Sequence, residues 1–202
     1  MSIAQPPPSN GPPTAPYRFS VEQYHRMIAD GLLAADDRVE LLEGRVYHLP
    51  PIGPEHAYTV NSGTDVFARL LPAGWHARSQ QPITLADSEP LPDLAVIRGR
   101  LQDYRRRHPI AADVGLVIEV ADSSLRSDRM LKLAIYAAAG IPEYWIVNLV
   151  DRQVEVNTKP EPAGRRRAAR YAKRRVVGEK GTLTVSLDGN SIGTLAVADL
   201  LP

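Results

Sequence analysis

The sequence predicts an α/β fold built on a mixed β-sheet, and three observations predict it. Strand-like runs make up most of the chain, with helical patterns inserted early and late. Several of those runs follow one another too closely for helical crossovers, which argues for a mixed sheet over a doubly wound one. The stretch GLVIEVAD, residues 115–122, sets Leu116, Ile118 and Val120 on one face and Val117, Glu119 and Ala121 on the other. Apolar residues on both faces mark a central strand.

The elements follow in order. MSIAQPPPSNGPPTAP, residues 1–16, cannot bury enough apolar surface to offset its ordering entropy, so a disordered tail is expected, with a single domain over 17–202. FSVEQYHRMIADGLL reads as a helix: Ser20 caps it, Gln23 completes a capping box, Phe19, Tyr24, Met27 and Ile28 form its apolar stripe, and Gly31 ends it. RVELLEGRVYHL reads as a hairpin around Glu43-Gly44. EHAYTVNSGTDVFARLLPAG reads as a second helix, with Tyr58, Val60, Val66, Phe67, Leu70 and Leu71 apolar. WHARSQQPITLAD, PDLAVIRG and VGLVIEVAD are strands. A helix, SDRMLKLAIYAAAG, follows and closes at Gly140, with Leu131, Ile135 and Ala138 as its buried face. EYWIVNLV and RQVEVNT are strands, EPAGRRRAAR is a polar turn region, and YAKRRVVGE with GTLTVSL forms a final hairpin.

Composition narrows the function. The chain has 202 residues, a net charge of +1 and no cysteine. No global field pulls it onto nucleic acid, and neither a disulfide framework nor a thiolate zinc site is available. No apolar run approaches a membrane span and no signal peptide is evident, so a cytoplasmic location is expected.

The charged residues inside apolar runs carry the chemistry. An ionised Glu119 inside a central strand costs several kcal/mol unless it is paired, metal-bound or at a cleft. Asp93 opens the run Leu94-Ala95-Val96-Ile97 in the same manner. Two such carboxylates converge if their strands are neighbours, and carboxylate oxygens suit Mg²⁺ or Mn²⁺. Asp128, Lys132 and Tyr136 stand four apart on one helical face, so a helix folded back on its own strand aims Lys132 at Glu119. An Asp, a Glu and a Lys around a divalent ion suit phosphodiester hydrolysis.

PDLAVI, VIEVADSS and DRMLKLAIYAAAGIPEYWIV, with VELLEGRVYHLPPIGPEH upstream, resemble the Uma2 family of the PD-(D/E)XK, restriction-endonuclease-like superfamily. The resemblance covers about residues 17–158. It implies a restriction-endonuclease-like mixed sheet flanked by helices, and a nuclease centre dependent on Mg²⁺ or Mn²⁺. Pro92-Asp93 match the PD and Glu119 the acidic residue, so Asp93 and Glu119 are the implied metal ligands. The usual lysine two residues on is Ala121 here, and Lys132 is its substitute. Glu40 resembles the acid supplied from the first elements. His56 and Gln81 stand where polar residues near the centre are common. The partner implied is nucleic acid, DNA in the first place, and a homodimer is compatible with it.

Taken singly, each residue has a structural explanation: a turn-forming Asp93, hairpin-edge Glu40 and Glu43, a capping His56, a solvated Lys132, and a dipole-compensating Asp128. Together they fit a site better than coincidence. RRRAARYAKRR supplies Arg165, Arg166, Arg167, Arg170, Lys173, Arg174 and Arg175 as candidate phosphate contacts, and YRRRH, 104–108, adds three arginines. Three functions remain open: a metal-dependent DNA endonuclease, an inactive nuclease-fold protein that only binds nucleic acid, and a partner-binding protein whose acids are paired in the core.

Overall fold

The structure, a computed structural model, describes residues 16–34, 36–165 and 167–202. Nearly all of the 1–16 tail, and Arg166, therefore lie outside the described residues. Helix α1 (Val21–Ala29) starts as expected: Ser20 Oγ accepts from the Gln23 N–H while the Gln23 side chain accepts from the Ser20 N–H. Strands β1 (Val39–Leu42) and β2 (Arg45–His48) form the hairpin. Its turn residues Glu43 and Gly44 both have positive φ, the requirement of a tight primed turn and the reason for the glycine.

Helix α2 (Pro54–Leu70) begins with proline in its first turn, where the missing N–H costs nothing. At Gly63 a Cβ would approach Leu94 to 2.5 Å, so the glycine lets α2 lie close over the sheet. The main sheet, counted among the described residues, has six strands in the order β3-β4-β5-β6-β7-β8. They are β3 (Trp75–Ser79), β4 (Leu94–Arg98), β5 (Val114–Ala121), β6 (Glu143–Asn148), β7 (Gln153–Glu161) and β8 (Arg170–Gly178). β5 and β6 run parallel and the other neighbouring pairs antiparallel, so the sheet is mixed.

The parallel pair needs a crossover, and α3 supplies it. This helix runs in α form over Leu125–Ser127, in π form over Asp128–Lys132 and in α form again over Leu133–Ala138. All eight residues of β5 are buried, and its two faces feed separate cores. Leu116, Ile118 and Val120 pack with Phe67 of α2 and Trp145, while Val117 and Ala121 pack with Ile135 and Tyr136 of α3.

Five expectations are corrected. β8 pairs with β7, not with the strand that follows it. That strand, β9 (Thr182–Leu187), pairs instead with β10 (Asn190–Ala196), which the sequence reading missed. The polar 161–170 region gives up its ends, Glu161 to β7 and Arg170 to β8. Ile28 and Tyr58 are exposed rather than part of buried stripes. Ala138 is exposed too, and Ala137 takes the buried place beside Ile135, because the π turn rotates the face that α3 presents.

Candidate active site

A cleft of about 540 Å³ opens where β1, the start of β4, the end of β5 and α3 meet. Glu119, third from last in β5, is fixed by two groups from α3. Lys132 Nζ lies 3.1 Å from its Oε1, and the Tyr136 hydroxyl donates to the same oxygen at 2.7 Å. Neither contact uses Oε2. Glu40, from β1, meets the same ammonium at 3.3 Å and accepts from the Leu91 N–H at 3.1 Å. Lys132 therefore bridges two buried carboxylates drawn from elements far apart in the chain.

Asp93 sits one residue before β4. The β4–β5 register, Leu94 opposite Ile118, places Asp93 across from Glu119 on the neighbouring strand. Its Oδ2 accepts from the Val120 N–H at 2.8 Å and lies 3.2 Å from Nε2 of His56, in the first turn of α2. Both contacts use Oδ2, leaving Oδ1 out of either. Asp37, Asp122 and Asp128 also line the cleft, and the Ser124 hydroxyl donates to Asp128 at 2.6 Å.

The electrostatics show a deficit of positive charge. Burial holds the Glu119 carboxyl well above the usual range; Lys132 pulls it down, while Asp93, Asp128 and Glu40 push it further up. Asp128 is raised to about 6, chiefly by burial, with Lys132 opposing. Burial alone would lower the Lys132 ammonium, but Glu119 and Glu40 more than offset it and hold it above its ordinary value. His56 is raised by its hydrogen bond to Asp93, with burial opposing.

Among the described residues, no three His, Asp or Glu side chains form a ready-made metal cage. Mg²⁺ does not need one. It keeps several waters and is commonly held by one or two carboxylates plus substrate phosphate. Two carboxylates that each keep an oxygen out of these contacts, in a cleft short of positive charge, fit that requirement.

The structure thus brings together Glu40, His56, Asp93, Glu119 and Lys132. It does not bring in Gln81, which is exposed and accepts from Arg78 at 2.6 Å; its neighbour Gln80 lines the cleft. Gln80 has φ 51°, and this left-handed residue turns the chain between the two glutamines. None of the described residues of the basic run lines the cleft. Arg167 and Arg170 are paired with Glu161, and Arg174 with Glu155 on β7. Arg165, Lys173 and Arg175 are exposed, the last two on β8, the edge strand three places from β5. Asp128, which the sequence placed on one helical face with Lys132 and Tyr136 and for which helix-dipole compensation was the alternative, is a buried member of the cleft. Its i,i+4 relation to Lys132 was the available signal.

The sequence profile of the Uma2 family, described as "Putative restriction endonuclease", matches residues 21–192. The chain belongs to the Uma2 family. Among solved structures it is similar to the crystal structure of a "putative nuclease belonging to DUF820" from Anabaena variabilis, at 14% identity and a TM-score of 0.62. That match covers 90% of this chain and 97% of the other. Apo NucC from E. coli overlaps 39% of this chain and 40% of its own at 16% identity, with a TM-score of 0.29, too partial to bear on the fold. A search of curated proteins returns no match. The likeness to the DUF820 structure agrees with the restriction-endonuclease-like sheet expected from sequence.

Proposed function

We propose that this Uma2 protein is an endonuclease that hydrolyses DNA phosphodiester bonds with a divalent metal, Mg²⁺ or Mn²⁺, held by Asp93 and Glu119. The observation that carries the proposal is the 3.1 Å contact between Lys132 and Glu119, with Asp93 set opposite Glu119 on the next strand. Those three groups are what phosphoryl hydrolysis needs: hard oxygen ligands and a fixed cation at one cleft. When bound, the metal supplies Lewis acidity to the phosphate and to the attacking water.

The chain's own residues do the rest. Glu119 and Glu40 hold the Lys132 ammonium in place, where it orients water and offsets negative charge developing on the phosphate. Tyr136 locks the Glu119 carboxylate from behind, which keeps its second oxygen aimed at the cleft. His56 fixes the rotamer of Asp93 and offers a proton near the phosphate. Replacing the usual strand lysine by Ala121 is tolerated because the π turn of α3 delivers Lys132 to the same carboxylate.

The test is cleavage of plasmid DNA with Mg²⁺ or Mn²⁺ by wild type and Glu119→Gln, purified identically. The proposal expects cutting by wild type and none by the variant. Equal cutting by both would place the activity elsewhere, and DNA binding without cutting by wild type would favour the inactive nucleic-acid-binding alternative.

A further inference from the structure

The YRRRH stretch, 104–108, plays no part in the active-site cleft, yet it borders the groove beside it. This groove, of about 810 Å³, lies between α1 and the 104–110 segment and shares Asp37, Val39 and Leu91 with the cleft. Its walls are apolar: Leu33 is half-buried, and Ile28 and Ile110 are 43% and 47% exposed. The rings of His25 and His108 meet edge to face at 6.5 Å. Its one deeply buried acid, Glu89, is already satisfied by His25 at 2.7 Å and by the Thr84 hydroxyl at 2.7 Å. Asp37, at the boundary, accepts from the Ala34 N–H at 2.8 Å.

The three arginines divide by role. Arg107 is tied to Asp113 at 2.6 Å and lies 4.8 Å over the Tyr104 ring, which fixes the segment. Arg105 and Arg106 are exposed, and among the described residues neither has a carboxylate partner. In the 165–175 run, by contrast, Arg167, Arg170 and Arg174 are spent on Glu161 and Glu155. Arg105 and Arg106 are thus this groove's exposed arginines without a carboxylate partner among the described residues, while Arg38, which lines the cleft itself, donates to the Pro50 carbonyl at 3.2 Å.

We infer that this groove holds an unpaired nucleic-acid strand continuing from the cleft, with Arg105 and Arg106 on its phosphates and the Ile28–Ile110 wall and His25 ring against its bases. Charge alone would serve a duplex. An apolar wall serves only bases that are out of the stack. The inference rests on the nuclease reading and names the substrate class: DNA with a single-stranded arm.

The experiment is fluorescence anisotropy in metal-free buffer, so that nothing is cut. The probes are a labelled DNA strand of about 20 nucleotides, the same strand made abasic, and a blunt duplex. Arg105→Ala/Arg106→Ala should weaken single-strand binding about tenfold and lower the salt slope by about 1.4, two contacts at about 0.7 each. Blunt-duplex binding should change less than about twofold on the same scale. Wild type should bind the abasic strand several-fold more weakly, and Ile28→Asp should weaken the ordinary strand with both arginines intact. Lys173→Ala/Arg175→Ala should bind as wild type does.

Wild-type affinity and slope in the Arg105/Arg106 variant would overturn the inference. So would equal binding of abasic and ordinary strands, or a duplex loss as large as the single-strand loss. Failure here with Glu119→Gln still unable to cut would remove the groove and leave the nuclease reading standing. Success here with Glu119→Gln cutting normally would do the reverse.

Discussion

Glu119 and Glu155 stand two strands apart on one face of the same sheet, in one row: Glu119 is opposite Ile146, and Ile146 is opposite Glu155. Both are buried, and both receive a cation from α3, Lys132 and Arg129 respectively. Their charge balance differs. Glu155 has Arg129 to itself, with Nε at 2.9 Å, and gains Arg174 from β8 at 2.9 Å. Burial pushes its carboxyl up, but the two guanidiniums more than reverse this and leave it below the usual range. Glu119 shares a single ammonium with Glu40, has Asp93 and Asp128 nearby, and is left well above it. Two carboxylates in equivalent sheet positions are thus one over-neutralised and one under-neutralised. The first reads as a structural tie between α3 and the sheet edge. The second is where an added cation lowers the energy most, the pattern expected of a functional centre.

The comparison is broken most sharply by exchanging charge for shape. Glu119→Gln should reduce metal-dependent cleavage by at least about a hundredfold. Its melting temperature should hold or rise, because a buried, poorly compensated charge has been removed. Lys132→Ala should also lose rate, on the order of tenfold to a hundredfold, while metal affinity changes little, because lysine is not a ligand. Cleavage kinetics against metal concentration separate the two variants.

Glu155→Gln should do the opposite, costing about 1–3 kcal/mol of stability in denaturant unfolding while the remaining folded protein cuts normally. The lower part of the range is favoured by the partial exposure of both arginines, whose freed charges reach water. This difference should also depend on pH in a set direction. A carboxylate whose folded pKa is depressed stabilises fully above its unfolded value, about 4.3, and loses that stabilisation as pH falls through the folded one. The gap between wild type and Glu155→Gln should therefore be constant near neutrality and close below about pH 4. A gap that widened in acid would mean that Glu155 is not the over-neutralised partner.

How much of this was legible in sequence follows from how local each feature is. The capping box of α1, the Glu43-Gly44 turn and the two-faced β5 are set by neighbouring residues, and each was readable. Glu119 and Lys132 were readable because charge inside an apolar pattern needs a reason. Glu155 was not, since Val154-Glu155-Val156 reads as an ordinary half-exposed strand, and only the packing of α3 above it buries the acid. Partner choice was equally hidden. β8 could have turned back on β9, and β7 competes for it through an eight-pair register that no local signal announces. β10 was masked by Asn190, Ser191 and the bulge at Gly193. The choice between Gln80 and Gln81 turned on one left-handed backbone angle.

The most direct test of the charge contrast is Mn²⁺ titration of the metal-free protein by calorimetry, with wild type, Asp93→Asn, Glu119→Gln and Glu155→Gln side by side. The account predicts that wild type and Glu155→Gln bind Mn²⁺ alike, and that Asp93→Asn and Glu119→Gln each lose at least about tenfold in affinity, a difference of about 1.4 kcal/mol. Binding by Glu119→Gln as tight as by wild type, or a matching loss in folded Glu155→Gln, would contradict it.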